Sequence, residues 1–305
     1  MNLFVLIRRN LKMYFSDKLA FFTSLISPLV LLVLYITFLG KMTSDNLISS
    51  FPEGALSSSL ANSLTAGELV SSLIAVSGVT ISFTSNMRMV RDEITGQMDD
   101  FLLTPVRKPT LFLSYFLASF FASFLLCFLT ASVGIVYLFI QGGYFPFGTF
   151  LLLLLEIMLL SFFGTSLSSF VNVFLKSESA LSALSALVSS AYGFIIGSYV
   201  PIHSFSEGLE NVLLFLPSTY MTALLRKTML SLPLGELKKE FGEEVYQKTS
   251  ESLDASFSFQ GREIQTFEMV LIVFLTSLVF VLLYLLFTYL KTSSSFKIKK
   301  EGTLK

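Results

Sequence analysis

Side chains that could carry chemistry are few in this sequence. It contains one Cys, Cys127, and one His, His203, which leaves little material for a disulfide framework, a zinc site or a nucleophile triad. No G-x-x-x-x-G-K-[ST] loop, G-x-S-x-G elbow or H-E-x-x-H motif occurs, so the chain cannot hold ATP in the P-loop manner. We therefore predict no catalytic residue, no metal and no cofactor in this chain, and we interpret His203 as an interface residue.

Glu156 is the one carboxylate well inside a long apolar run. An acid within a membrane is functional by default, but this run is longer than the hydrocarbon layer. Glu156 therefore lies either near the outer headgroups or in a wet cavity. Residues 177–199 are rich in Ser, Ala and Gly, and three of the serines fall on one helical face: Ser182, Ser185 and Ser189. Close helix packing is our favoured interpretation of that face, and the lining of a pathway is the alternative.

The elements that must position these residues are membrane helices. Apolar residues form 53% of the 305-residue chain and charged residues only 14%, against about 25% in soluble domains. A soluble fold could not cover so much apolar surface, and a net charge of zero gives no basic field for nucleic acid. A helix needs about 20 apolar residues to cross a bilayer. The charge-free runs predict an all-α integral membrane protein with six spans, at 19–40, 67–87, 110–140, 149–175, 179–200 and 267–290.

The distribution of basic residues predicts the orientation. With the N-terminus inside, most of the 21 Lys and Arg residues fall in cytoplasmic segments, so the positive-inside rule places both termini in the cytoplasm. Residues 1–18 separate apolar from basic side chains as an interfacial amphipathic helix does, and a frayed basic tail is the alternative. Residues 292–305 form a basic tail at the anionic cytoplasmic leaflet.

Breaks between the fifth and sixth spans indicate a different kind of segment. Pro201 and Pro217 interrupt an apolar stretch and leave pieces too short to cross the bilayer, which favours a re-entrant outer hairpin over 201–222. Residues 223–266 follow as an extracellular cap, in which an alternation of Phe and Ser near residue 258 favours a short β-hairpin.

The cytoplasmic segment 88–109 mixes charges of both signs. Its sequence favours a helix that Gly96 interrupts and a second piece that Pro105 ends. A charge-mixed helix beside a membrane suits docking to another protein. A solvated connecting helix is the alternative, and on chemistry alone it is slightly favoured.

Two motifs in order resemble the type-2 ABC exporter permeases. The first follows the second span as Asp92-Glu93-Ile94-Thr95-Gly96-Gln97-Met98-Asp99 and continues as Leu102-Leu103-Thr104-Pro105-Val106. The second is Pro217-Ser218-Thr219-Tyr220-Met221-Thr222-Ala223-Leu224-Leu225-Arg226. Gln97 and Ser218 depart from the residues usual in that family, while Pro201 and Ile202 fit its hairpin.

The resemblance implies a permease half in the lipid membrane. A second permease chain, identical or a sister, would complete the pathway, and a separate cytoplasmic ABC ATPase would bind ATP and Mg²⁺. The resemblance places ATPase coupling around the first motif, at Arg91, Asp92, Glu93, Gly96, Met98, Asp99, Phe101, Thr104 and Pro105. The hairpin and the polar residues described above supply the candidate pathway or gate: Ser182, Ser185, Ser189, Glu156, Pro201, Pro217 and Tyr220.

The predicted function is ATP-driven export by a multi-pass protein of the bacterial plasma membrane. The substrate is a drug, an antimicrobial peptide or a lipid-like amphipathic molecule. An ABC exporter of glycan or polysaccharide is one alternative. An ion-coupled secondary transporter is another, although it needs midplane ionisable groups or repeats. The missing nucleophile–base pair argues against an intramembrane enzyme.

Overall fold

The protein is built almost entirely from helices. The computed structural model describes residues 2–52, 55–143, 147–259 and 262–302. The helices are α1 (Leu3–Ser16), α2 (Lys18–Leu34), α3 (Gly40–Ser49), α4 (Ser58–Ile94), α5 (Gln97–Leu102), α6 (Lys108–Ile140), α7 (Phe147–Asn172), α8 (Glu178–Ile195), α9 (Glu207–Leu214), α10 (Pro217–Met229), α11 (Ser231–Phe241), α12 (Glu243–Ser252) and α13 (Thr266–Gly302). A π-helical segment, Tyr35–Leu39, joins α2 to α3, and a 3₁₀ turn, Ile202–Ser204, precedes α9.

Five helical segments of the described chain are long and apolar enough to cross a membrane: Lys18–Ser49, Ser58–Ile94, Lys108–Ile140, Phe147–Asn172 and Thr266–Lys291. This confirms an all-helical membrane protein. The predicted span at 179–200 corresponds to α8, which is helical but is not one of the five because Glu178 and its Ser residues lower its hydropathy. Six spans are therefore not confirmed, and α8 as the sixth stays a prediction.

Several helices extend beyond the predicted spans. The first continues through the π-helical segment to Ser49, and α4 begins at Ser58, well before residue 67. The length of a charge-free run indicates which residues can cross the bilayer, but a helix can continue beyond that run into polar residues. The extensions are stabilised by a second, smaller core in which Leu47, Leu60 and Leu64 pack with residues of α11.

Helix α4 is the centre of the bundle, and its apolar stretch is entirely buried. It contacts α2, α6, α7, α8 and α10. Small residues allow this close approach: Gly78 lies against Leu160 of α7, and Gly134 of α6 lies against Val70. Hydroxyls bond between helices, as where Ser82 and Ser123 lie 2.7 Å apart. A helix rich in Ser occupies the centre because neighbouring helices satisfy its polar groups and lipid cannot.

The bundle has two distinct ends. We call the terminal end the one where α1, the 88–109 segment and Lys291 of α13 meet. The cap end carries α9 to α12 and a two-stranded antiparallel hairpin of β1 (Ser258–Phe259) and β2 (Arg262–Glu263), which confirms the predicted β-hairpin. The backbone of α13 continues as helix to Gly302, and residues 303–305 of the predicted tail lie outside the described residues.

Candidate functional site: the 88–109 segment and two buried ion clusters

The segment between α4 and α6 presents an acidic and apolar surface at the terminal end. Gly96 separates α4 from α5 with a φ of +77°, a left-handed conformation that residues with a Cβ rarely adopt, and the predicted helix break is confirmed. Asp99 and Asp100 of α5 are exposed, and Leu103 just beyond it is 83% exposed. The segment therefore offers an exposed surface with acidic and apolar groups, on which docking of another protein stays a prediction.

A buried ion cluster supports this surface from behind. The Asp92 carboxylate is almost fully buried and accepts hydrogen bonds from Arg9 Nη1 of α1 at 2.9 Å and from the Tyr115 hydroxyl of α6 at 2.7 Å. Arg88 Nε lies 2.9 Å from its other oxygen. The Arg9 guanidinium also lies over the Phe101 ring, 4.7 Å from its centroid. We call Arg9, Arg88, Asp92 and Tyr115 the terminal-end cluster; it joins α1, α4 and α6.

The nine predicted coupling residues divide between the surface and its support. Four of them are exposed: Gly96, Asp99, Thr104 and Pro105. Five are buried or half-buried: Arg91, Asp92, Glu93, Met98 and Phe101. Two of the half-buried ones anchor other elements, since Arg91 pairs with Asp17 at 3.3 Å and Glu93 pairs with Lys291 of α13 at 2.6 Å. Their role in coupling to an ATPase stays a prediction.

A second buried cluster lies at the cap end around Arg226 of α10. Its guanidinium is inaccessible to solvent. Nη1 donates to Asp254 Oδ2 at 2.9 Å, and Nη2 donates to the Gly197 carbonyl at 2.5 Å and lies 3.9 Å from Glu68 Oε1 of α4. Glu68 in turn accepts from the Tyr35 hydroxyl at 2.8 Å.

The backbone around this cluster is shaped to hold it. Asp254 has a φ of +49°, a conformation that Asp tolerates better than most residues, and its Oδ2 also accepts from the Ile202 amide at 2.6 Å. Gly197 has a φ of +72°, and a Cβ there would lie 3.0 Å from Asp254 Oδ2. We call Tyr35, Glu68, Arg226 and Asp254, together with His203, the cap-end cluster.

Sequence reasoning missed most of the cap-end cluster. Arg226 was part of a motif, but its partners Asp254, Glu68 and Tyr35 were not singled out. The available signal was a pair of charges, Glu68 and Arg226, at the edges of apolar stretches, where an unpaired charge is costly. That signal predicts pairing without identifying the partner, because Asp254 lies in the polar cap among several exposed acids.

His203 makes the cap-end cluster sensitive to pH. The pKa of His203 is raised, chiefly because Nδ1 lies within hydrogen-bonding distance of Asp254 Oδ1, at 3.0 Å, while partial burial lowers it. A group whose pKa rises on folding contributes stability in full below its unfolded pKa, about 6.5 for His, and that contribution is lost as the pH rises through the folded pKa.

We therefore expect the thermal stability of the purified protein to fall as the pH rises above about 6.5, the ordinary pKa of His, in a step that His203→Gln removes. A pH series of unfolding midpoints on both proteins measures this. Because the chain has one His, no other histidine can produce the step. An equal step in both proteins would show that His203 does not contribute.

Glu156 lies buried on α7 and contacts α10. Its Oε1 accepts from the Thr228 hydroxyl at 2.6 Å, whereas Oε2 has no hydrogen-bond partner among the described residues. Thr228 is two residues from Arg226, so Glu156 belongs to the cap-end half of the bundle. A headgroup position and a wet cavity both stay predictions for this acid.

The other predicted pathway residues are not gathered at one place. Ser182 is exposed on α8, Ser185 lies 3.8 Å from Met87 Sδ, and the Ser189 carbonyl accepts from Ser27. The hairpin residues have local roles. Pro201 precedes the 3₁₀ turn, Pro217 begins α10, and the Tyr220 hydroxyl donates to the Leu214 carbonyl at 2.6 Å. A shared role in a pathway or gate stays a prediction for all of them.

The fold defines a multi-helix integral membrane protein whose buried ion pairs form clusters at the two ends of the bundle. The family described as ABC-2 type transporter matches residues 1–230 of the chain. Since this is more than half of its length, the chain belongs to that family, which makes it the membrane component of an ABC transporter. No curated protein matches the chain.

Proposed function

We propose that this chain is the permease subunit of an ATP-driven exporter in a bacterial plasma membrane. It pairs with a second permease chain, and each half docks a separate cytoplasmic ATPase that binds ATP and Mg²⁺. Both termini and the 88–109 segment face the cytoplasm in this proposal, and α8 is the sixth span. The observation that carries it is the exposed α5 surface on a membrane chain of this family, backed by the terminal-end cluster.

The shape of α4 supports a mechanical role for that surface. The helix runs unbroken from Ser58 to Ile94, and Asp92 and Glu68 are separated along it by about 36 Å at 1.5 Å per residue. One rigid element therefore joins the terminal-end cluster to the cap-end cluster. A displacement of α5 would move α4 as a rigid body and would therefore reach Arg226. Rigid-body movement of packed elements is common in conformational transitions of proteins.

The cap end supports a gate in the same proposal. The segment 201–222 contains a 3₁₀ turn, α9 and the start of α10 at Pro217. Asp254 binds its Ile202 amide and pairs with Arg226, which in turn lies near Glu68 of α4. A tilt of α4 would change the Glu68–Arg226 separation, now 3.9 Å, and shift α10. The hairpin would then open or close an outer exit.

Changing the docking surface tests the proposal. The double variant Asp100→Arg, Leu103→Asp is expected to reach the membrane in normal amount but to lose about tenfold or more of its bound ATPase, because it reverses a charge and removes an apolar contact. Co-purification of an ATP-binding-cassette ATPase from native membranes, followed by ATP-driven efflux from vesicles, measures the effect.

Asp45→Arg supplies the matched control, since Asp45 is an exposed acid at the other end of the bundle. It should keep both ATPase and transport. Undiminished ATPase binding and transport in the double variant would contradict the coupling role of the 88–109 segment.

The substrate class proposed is a drug, an antimicrobial peptide or a lipid-like amphipathic molecule, because most side chains of the bundle are apolar or carry a hydroxyl group. Export of a glycan or polysaccharide by an ABC transporter of the same kind is the alternative. One observation favours an ion-coupled carrier instead, namely the buried Glu156 with its unpartnered oxygen. Gradient-driven transport in vesicles that contain no ATPase, abolished by Glu156→Gln, would support that alternative.

A further inference from the structure

A groove at the cap end lies between the outer hairpin and the start of α13. Its volume is about 520 Å³, within the range of small-molecule sites. Its walls are apolar: Leu214, Phe215, Tyr220, Ile264, Leu271 and Ile272. The Tyr220 hydroxyl already donates a hydrogen bond to the Leu214 carbonyl. A molecule in the groove would therefore contact the Tyr220 ring and not its hydroxyl. Such a surface gains most from an aliphatic chain.

Charge is confined to one part of the groove. Arg262 and Glu268 also line it, and Arg262 Nη2 lies 2.5 Å from Glu268 Oε1. The Arg262 side chain is 76% exposed, and within the described part of the chain the only hydrogen bond of its guanidinium is the one from Nη2. A guanidinium has five N–H donors, so several remain for an anionic oxygen, and phosphate suits this geometry.

The groove also lies beside the start of an apolar span. Glu268, Leu271 and Ile272 fall in the first turns of the α13 span, which begins at Thr266. Phe215 of the groove, and Val212 and Phe267 in the adjoining α9 and α13, leave more than half of their surface uncovered. Large uncovered apolar residues at the start of a span are typical of contact with lipid.

We propose that the groove binds a phospholipid of the outer leaflet, with one acyl chain between α9, α10 and α13 and the phosphate on Arg262. A second copy of this chain is a poorer occupant. Helix α13 exposes Leu, Val and Phe along its length, which suits lipid, whereas close helix association favours small residues of the kind that α8 exposes. The proposal does not rest on the transported substrate or on ATPase coupling.

Photolabelling of the full chain with its native partners in nanodiscs tests this proposal. The discs contain phosphatidylethanolamine and phosphatidylglycerol with a trace of phospholipid that bears a diazirine in one acyl chain. Mass spectrometry should find label concentrated on peptides that contain Leu214, Ile264 and Ile272. Leu271→Trp, which fills the groove, should reduce that label severalfold. Leu282→Trp changes an exposed residue farther along the same helix and should not.

The headgroup contact has its own control pair. Arg262→Gln should lower labelling of the groove about tenfold, as expected for the loss of one charge-assisted hydrogen bond. Lys248→Gln removes an equally exposed partner of the Lys248–Glu244 pair in the same cap and should have no effect. Label spread evenly over the exposed face of α13, or equal labelling in Leu271→Trp and Leu282→Trp, would overturn the proposal.

Discussion

Replacing Arg226 by Met is expected to lower the free energy of unfolding by about 3–5 kcal/mol, the usual cost of removing one partner of a buried ion pair. The change leaves Asp254 and Glu68 as buried carboxylates without the guanidinium that lies near both. It also removes the donor to the Gly197 carbonyl. Thermal unfolding of the purified protein, together with its amount in the membrane, measures the loss.

Two further variants separate lost charge balance from lost packing. Lys227→Gln changes the adjacent basic residue, which is only half-buried, and should leave stability within about 0.5 kcal/mol. A triple variant, Arg226→Met with Asp254→Asn and Glu68→Gln, should recover much of the loss because no uncompensated charge remains. Asn also tolerates the positive φ at residue 254. A triple variant as unstable as Arg226→Met alone would show that packing, and not charge, governs the site.

Asp92→Asn is expected to destabilise the terminal end by about 2–3 kcal/mol. The cost is smaller than for Arg226 because Arg9 and Arg88, which lose their counter-charge, are about a quarter exposed and stay partly hydrated. Since the Asp92 carboxylate joins α1 to α4 and α6, limited proteolysis should cleave near α1 more readily in the variant. Unfolding midpoints supply the second measurement.

Asp100→Asn is the matched control on the same segment. Asp100 is exposed, and its neutralisation should not affect stability or proteolysis, although it should weaken ATPase binding if α5 docks that partner. Equal stability of the Asp92→Asn and native proteins would show that the terminal-end cluster does not hold α1. The pair of variants also explains why Asp92 is a poor choice for testing docking, since its loss would disturb the support of the surface.

Local features of this fold could be predicted from sequence, and long-range pairing could not. The break at Gly96 and the start of α10 at Pro217 follow from backbone preferences that act over a few residues. The partners of Asp92 and Arg226 do not, because Arg9 is 83 residues from Asp92 and Asp254 is 28 residues from Arg226. The burial of α4 could not be predicted either, because hydropathy depends on residue types and not on which helices pack around them.

The same lack of long-range information limits what the sequence predicts about the candidate site. A motif around Asp92 was visible, and it is now divided into residues that face outward and residues that support them from within. Exposure separates Asp99 from Asp92, and exposure depends on where α1 packs. The amino-acid composition does not reveal where α1 packs.

The cap-end cluster also has a consequence for biogenesis. Glu68 is synthesised early, Arg226 much later, and Asp254 another 28 residues after Arg226, or about 1–6 seconds of translation. During that interval Asp254 is not yet available to Arg226, so the contact with Glu68 that is 3.9 Å long in the finished protein can hold α10 beside α4 until synthesis of the cap delivers the stronger partner. The weaker ion pair would then serve assembly, and the stronger one would serve the finished molecule.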